Sequence, residues 1–339
     1  MRQVLVPLVI DPAVAPDGSK LHEASGATMG TSWSARLLLP PGVRSHLGQQ
    51  LQRELDGINA EMSHWDPDST LGRYNRAPAG SWHVLPPRFV EVLAHALDMF
   101  DASGGAYDPF AGALVNLWGF GPERCYNQPG FYAPAPGAVQ AVLAQRASLH
   151  PEFDRAGARL LQPGGALLDF SSIAKGYAVD RLAWCLEQHG VRHYLVEIGG
   201  ELRGAGMKPD GQPWWVALEG VPGLDATPAV AALHGLAVAT SGDYRRYFEH
   251  GARRASHTLD PRSGYPVANE VASCTVLHAS CMAADALSTT ITVLGFDAGL
   301  AFAEERKLAA RAALRARCSR WKWAKRCMSS GSLACGTPG

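Results

Sequence analysis

Apolar residues recur along this chain at two spacings, and each spacing predicts a different element. Leu47, Leu51, Leu55 and Ile58 fall three or four apart, which predicts a helix over 43–62. Phe89, Leu93, Ala96, Leu97 and Phe100 repeat the spacing and predict a second helix over 87–103. Further helices are expected over 134–145, behind a Pro-rich entry, and over 173–188, closed by His189-Gly190. Runs rich in β-branched and aromatic residues predict strands over 28–39, 166–170, 193–198, 214–218, 236–240, 256–259 and 271–277. The run 280–294 is helical in pattern and follows the last of these directly. Residues 63–82, which include Asp66-Pro67-Asp68, read as loop, and residues 1–22 as a loosely held arm.

Composition narrows the class. With 339 residues, 47% apolar and 18% charged, the chain can bury a sizeable core, and 36 Gly and 23 Pro imply many turns. Together with the element pattern this gives an α+β fold. The formal net charge of zero hides an asymmetry. Nine Lys/Arg and no Asp/Glu follow Glu305, so residues 1–305 carry 22 basic (31 − 9) and 31 acidic residues, a net of −9. An acidic body argues against a nucleic-acid surface. Three of the seven cysteines, Cys318, Cys327 and Cys335, lie in the last 22 residues, and there is no CxxC pair to suggest structural zinc. The stretch 306–339 therefore reads as an atypical basic, Cys-containing tail, helical in text from about residue 309. No run of about 18 apolar residues predicts a transmembrane segment, and residues 1–10 lack the apolar core of a signal peptide.

Three segments carry candidate chemistry. In SCMAADALSTT, Asp285 and Thr289 are four apart and share a helix face among small and apolar neighbours. A buried carboxylate needs a cation or donors, and a hard ion such as Mg2+ suits a carboxylate beside a hydroxyl. The competing reading is a plain helix start, with Asp285 facing the dipole and Thr289 bonded to its own backbone. In LDFSSIAKGYAVD, a small-residue turn leads into a helix whose first N–H groups favour an anion such as a pyrophosphate. Lys175 adds charge there and Gly176 permits close approach; Lys175 as an ordinary surface residue is the alternative. In SHTLDPRSG, His257 titrates near neutrality and is a general-base candidate, with a structural histidine as the alternative. A Ser-His-Asp hydrolase finds no GxSxG elbow.

The chain resembles the ApbE family of FAD:protein FMN transferases through eight blocks in family order, spanning about residues 28–305. They are MGTSWSARL, EMSHWDPDSTLGRYN, GGAYDPFAGALVNLWGFGP, LDFSSIAKGYAVD, YLVEIGGELRGAG, ATSGDYRRYF, SHTLDPRSGYPV and AADALSTTITVLG. The resemblance implies an N-terminal arm (1–27), a transferase domain (28–305) and the tail (306–339), in which the family's closing strand is not recognisable. It implies T-fold-related mixed sheets with flanking helices and an active site in a cleft between two subdomains. It implies that FAD and Mg2+ are bound and that FMN passes to a Thr or Ser hydroxyl of a target flavoprotein with release of AMP. By the same resemblance Asp285, Thr289 and Ser172, the last through its backbone carbonyl, match Mg2+ ligands. Met29, Trp65, Ala106, Tyr107, Asp108, Asp169, Lys175 and Leu259 match FAD-contacting positions. Trp65 could stack on a flat ring or plug the 63–82 loop, and Asp169 could accept hydrogen bonds from the cofactor. Targets of this family sit in respiratory complexes or among periplasmic flavoproteins, so a periplasmic or inner-membrane-associated setting is implied. An FAD pyrophosphatase giving FMN and AMP, or a non-catalytic flavin-binding protein, are the alternative functions.

Overall fold

A computed structural model describes residues 3–11, 15–42, 46–223, 228–250, 253–315 and 322–323. The chain divides into two compact units, one of Met1–Asp56, Lys175–Gly242 and Glu270–Gly339, the other of Gly57–Ala174 and Asp243–Asn269.

An eight-stranded sheet organises the first unit. From edge to edge its strands are Lys322–Trp323, Ala309–Leu314, Val271–His278, Leu236–Gly242, Glu201–Ala205, Tyr194–Ile198, Thr31–Leu39 and Lys20–Thr28. Pairing between neighbours is antiparallel throughout. The helix Cys281–Leu294 packs on the central strands Leu236–Gly242 and Val271–His278. Val271–His278 is buried along nearly its whole length, as its unbroken run of apolar and small residues requires. A second sheet pairs Gln3–Leu5 in parallel with Ala229–Leu233, which in turn pairs with Trp214–Leu218. It closes a core of Leu5, Trp214, Val216, Ala231 and Leu233. The periodic residues Leu51 and Leu55 of the helix Leu47–Met62 are fully buried, each contributing about 1.5–3 kcal/mol of apolar transfer.

The expected arm is different in kind from what forms. Lys20–Thr28 is a nine-residue strand hydrogen-bonded along its length to Thr31–Leu39. The Gly30 expected inside a strand lies in the hairpin turn instead. Met29 and Gly30 both have positive φ, 49° and 71°, the backbone that a two-residue turn between right-twisted strands demands. Ala309–Leu314 is likewise a strand rather than a helix. Its alanines are good helix formers, but Ala310, Ala312 and Ala313 are buried against the sheet, and tertiary burial overrides propensity. The tail cysteines Cys318, Cys327 and Cys335 fall outside the described residues.

The second unit carries the helices Pro87–Ser103, Gly112–Leu117 and Pro136–Ala147. The face that Pro87–Ser103 buries runs through Phe89, Val92, Leu93, Ala96 and Met99, leaving Phe100 39% exposed, so the stripe is rotated slightly from the expected one. The segment expected to be loop contains the short helix Thr70–Asn75, capped by Ser69 accepting from the Gly72 N–H, and the strand Ser81–Val84. An aromatic core joins Trp118, Phe120, Phe248 and Tyr265, and Trp118 donates its indole N–H to the Gly264 carbonyl at 2.8 Å.

The segment 166–170 is extended but joins no sheet. Gln162 is fully buried and makes four bonds: it donates to the carbonyls of Tyr74 and Ala166 and accepts from the N–H groups of Gly164 and Ala166. Asn75 donates to the Leu168 carbonyl at 2.9 Å and accepts from the Leu168 N–H at 2.8 Å. Leu167 and Asp169 bond to the backbone of Gly112 and Pro109. Side-chain amides thus replace a neighbouring strand. Among the described residues no helix is long and apolar enough to cross a membrane.

Candidate active site

Within the first unit, two helices meet at their N-termini. Gly176 is the third residue of the helix Ala174–Gln188, so its N–H is one of those with no partner inside the helix. It donates to Asp285 Oδ2 at 3.0 Å. The exchange is reciprocal. Asp180, on that same helix, accepts from the N–H groups of Cys281 and Met282 at 2.9 and 3.0 Å and from the Ser280 hydroxyl at 2.8 Å. Arg203 holds Asp180 at 2.5 Å. Each helix start is therefore capped by a carboxylate from the other. The anion expected at the LDFSSIAKGYAVD helix start is, in part, the protein's own Asp285. Gly176 is needed for this approach: a Cβ there would sit 2.3 Å from the Cys281 carbonyl oxygen and 2.7 Å from Asp285 Cβ.

Asp285 is only 4% exposed, and the Gly176 N–H is the hydrogen bond it accepts among the described residues. Burial pushes its pKa up, opposed by the Lys175 ammonium and by the Gly176 N–H. Lys175 binds Glu201 Oε1 at 2.5 Å. Burial pushes the lysine's pKa down, but Asp285 and Glu201 outweigh this, and the net direction is up. Glu201 thus pairs with this ammonium directly, and Asp285 acts on it through its charge. Thr289, half-buried, lies within 2.9 Å of the Ser241 hydroxyl rather than bonding to its own helix; the back-bonded residues are Thr290 and Thr292. Burial also pushes the thiols of Cys274 and Cys281 up, which keeps them protonated and inert.

In the second unit, Trp65 is 51% exposed, so it is no plug. Its ring lies 5.3 Å from that of His64. His64 Nδ1 is 3.5 Å from Asp169 Oδ1, and both side chains are largely buried. Asp169 also accepts from the Ser171 N–H at 2.7 Å. Ala106 and Tyr107 are buried, and the Ser172 hydroxyl donates to the Tyr107 oxygen at 3.2 Å. Asp108 accepts from the Phe110 N–H and is ion-paired to Arg146, which donates to the Pro261 carbonyl. Leu259 packs its side chain into the aromatic core. His257 Nδ1 lies 3.1 Å from the Arg246 carbonyl. A carbonyl only accepts, so in this contact Nδ1 is the donor.

The ApbE family pattern matches residues 29–312. The chain belongs to this family. An FAD:protein FMN transferase of Haemophilus influenzae is 36% identical over 318 residues, 90% of each chain. The structure of the flavin transferase ApbE from Vibrio cholerae superposes with a TM-score of 0.82 at 33% identity, covering 91% of this chain and 98% of its own. That of the Pseudomonas stutzeri flavinyl transferase ApbE, in its apo form, gives 0.83 at 36%, covering 94% and 98%. The α+β architecture of mixed sheets and helices is the one these ApbE structures share.

Within the first unit Lys175 lies near enough to Asp285 to shift its titration, and Thr289 follows one turn later on the Asp285 helix; within the second, His64 contacts both Trp65 and Asp169, and Ser172 bonds to Tyr107. Met29 stands on the hairpin turn and His257 beside the aromatic core, 6.3 Å from the Phe120 ring. Sequence reasoning passed over Glu201, Asp180, Ser241 and His64. All four stand inside the quoted blocks, so their polar character amid small or aromatic neighbours was the available signal.

Proposed function

We propose that this ApbE-family protein is an FAD:protein FMN transferase that moves the FMN part of FAD to a Thr or Ser hydroxyl of a target flavoprotein and releases AMP. The observation that carries the reading is Asp285: a buried carboxylate with one hydrogen bond, on the same helix face as the Thr289 hydroxyl. This all-oxygen pair is the donor chemistry of a hard divalent ion. Among the described residues no three His, Cys, Asp or Glu side chains cluster to hold a metal, and a small oxygen set completed by water is what Mg2+ takes. In this reading Asp285, Thr289 and the Ser172 carbonyl hold Mg2+. When bound, the ion neutralises pyrophosphate charge and the charge developing on the leaving AMP.

The chain's own residues supply the rest. Trp65 offers half its surface for stacking on a flat ring of FAD, and Asp169 accepts hydrogen bonds from it. Met29, Ala106, Tyr107, Asp108 and Leu259 line the cofactor, the last four as positions fixed by packing or ion pairing. Lys175 balances the carboxylates at the phosphate end. His257 takes the proton from the acceptor hydroxyl as it attacks. The target is a respiratory-complex subunit or a periplasmic flavoprotein, and the setting is the periplasm or the inner membrane.

The test is incubation with FAD, Mg2+ and an acceptor domain, read by intact-protein mass spectrometry and AMP assay. FMN-modified acceptor with one AMP per adduct is expected, and Asp285→Ala abolishes both. AMP without adduct across several acceptors assigns the protein as an FAD pyrophosphatase instead. His257→Ala lowers transfer by about 10²–10⁴-fold if it is the base; unchanged transfer removes that role.

A further inference from the structure

We infer that Ser241 is a positioning residue that orients the Thr289 hydroxyl so that its lone pairs stay available to the metal ion. The inference rests on the reading of Asp285 and Thr289 as metal ligands. It follows from counting protons along three short contacts. Ser288 Oγ lies 2.9 Å from the Asp285 carbonyl oxygen. That oxygen has no proton to give, so Ser288 is the donor and its single hydroxyl proton is committed. Ser241 Oγ lies 2.7 Å from Ser288 Oγ, so in this second contact Ser241 must donate. Ser241 Oγ also lies 2.9 Å from Thr289 Oγ1. With Ser241's proton already given to Ser288, Thr289 must donate in the third contact.

Thr289-to-Ser241-to-Ser288-to-Asp285 carbonyl is therefore the one arrangement that satisfies all three bonds. Its consequence falls on Thr289. A hydroxyl that has donated its proton to Ser241 presents only oxygen lone pairs elsewhere, which is what a cation requires. The Asp285 carbonyl is the acceptor a Thr at 289 would reach by bonding back along its own helix, and Ser288 already occupies it. The chain also ends on the residue that carries the proposed carboxylate ligand, so ligand and ligand-orienting network are continuous. Ser241 stands on the strand Leu236–Gly242, paired with Cys274 on the neighbouring strand, and Ser288 is fully buried, so neither partner is held by a mobile loop.

Outer groups that orient metal ligands typically alter metal affinity by about 10–100-fold when removed. The test is Mn2+ binding to the full chain in the presence of FAD, followed by the EPR signal of the free ion, with FAD alone as blank. Wild type, Ser241→Ala, Ser241→Thr and Asp285→Ala are compared, each with a thermal melt. Expected are loss of protein-dependent binding in Asp285→Ala, a weakening of about tenfold or more in Ser241→Ala, and recovery towards wild type in Ser241→Thr, which keeps the hydroxyl. Wild-type affinity in Ser241→Ala, with Asp285→Ala still defective, overturns the role of Ser241 and leaves the metal reading standing. Equal binding by wild type and Asp285→Ala overturns the metal reading itself. A defect shared by Ser241→Ala and Ser241→Thr, together with lowered melting, reduces Ser241 to packing.

Discussion

At the paired helix starts of the first unit, Asp180 and Asp285 satisfy exposed N–H groups from one regular element to another. Along 166–170 in the second unit, the backbone joins no sheet, and the amides of Asn75 and Gln162 do most of the holding, beside two backbone bonds to Pro109 and Gly112. Both arrangements immobilise residues assigned to the site, Asp285 in one and Asp169 in the other. They differ in what can fail. The helix pair depends on how closely two backbones approach, which only a missing side chain permits. The extended segment depends on particular atoms of two side chains, which a change of chemistry at constant volume would destroy.

Substitutions can break each arrangement on its own terms. The largest effect is expected from Gly176→Ala. The added Cβ collides with the Cys281 backbone, which cannot swing aside as a flexible side chain would, so a loss of about 3 kcal/mol or more is expected in denaturant unfolding. Retained stability together with retained metal binding would show that the helices have slack. Gln162→Leu comes next. It keeps the volume but strips four hydrogen bonds from a fully buried site, leaving backbone groups of Ala166 unsatisfied, at a cost of about 2–3 kcal/mol. A midpoint within experimental error of wild type would mean that the segment finds other partners. Trp65→Ala is the mildest for the fold, within about 0.5 kcal/mol, because half the ring is already in water. Its effect is expected on FAD affinity, about tenfold weaker by fluorescence titration from the loss of a stacking contact. Unaltered FAD binding would remove Trp65 from the site.

Regular and irregular elements also differ in how far the amino-acid pattern reveals them. The helix Cys281–Leu294 and the strand Val271–His278 were legible because their small and apolar residues form long, uninterrupted patterns, and the face shared by Asp285 and Thr289 follows from the helical repeat alone. The segment 166–170 imitated a strand in composition, yet its partners are amides 4 to 93 residues away in the chain, which no local pattern encodes. Lys20–Thr28 was missed for the opposite reason. It is an edge strand with most side chains in solvent, so it carries no apolar alternation to detect. The resemblance covers the blocks in which Asp180, Glu201 and Ser241 stand, but their hydrogen-bond partners lie elsewhere in the chain and become visible only when strands and helices are assembled.

The strand Ala309–Leu314 has one more consequence. It covers the outer side of Val271–His278, the almost wholly buried strand that leads directly into the helix bearing Asp285. A chain interrupted after Leu308 would leave that sticky, apolar strand as a bare template, free to recruit a second molecule along its open backbone. Such an interruption would thus show first as self-association, before any change in chemistry could be measured.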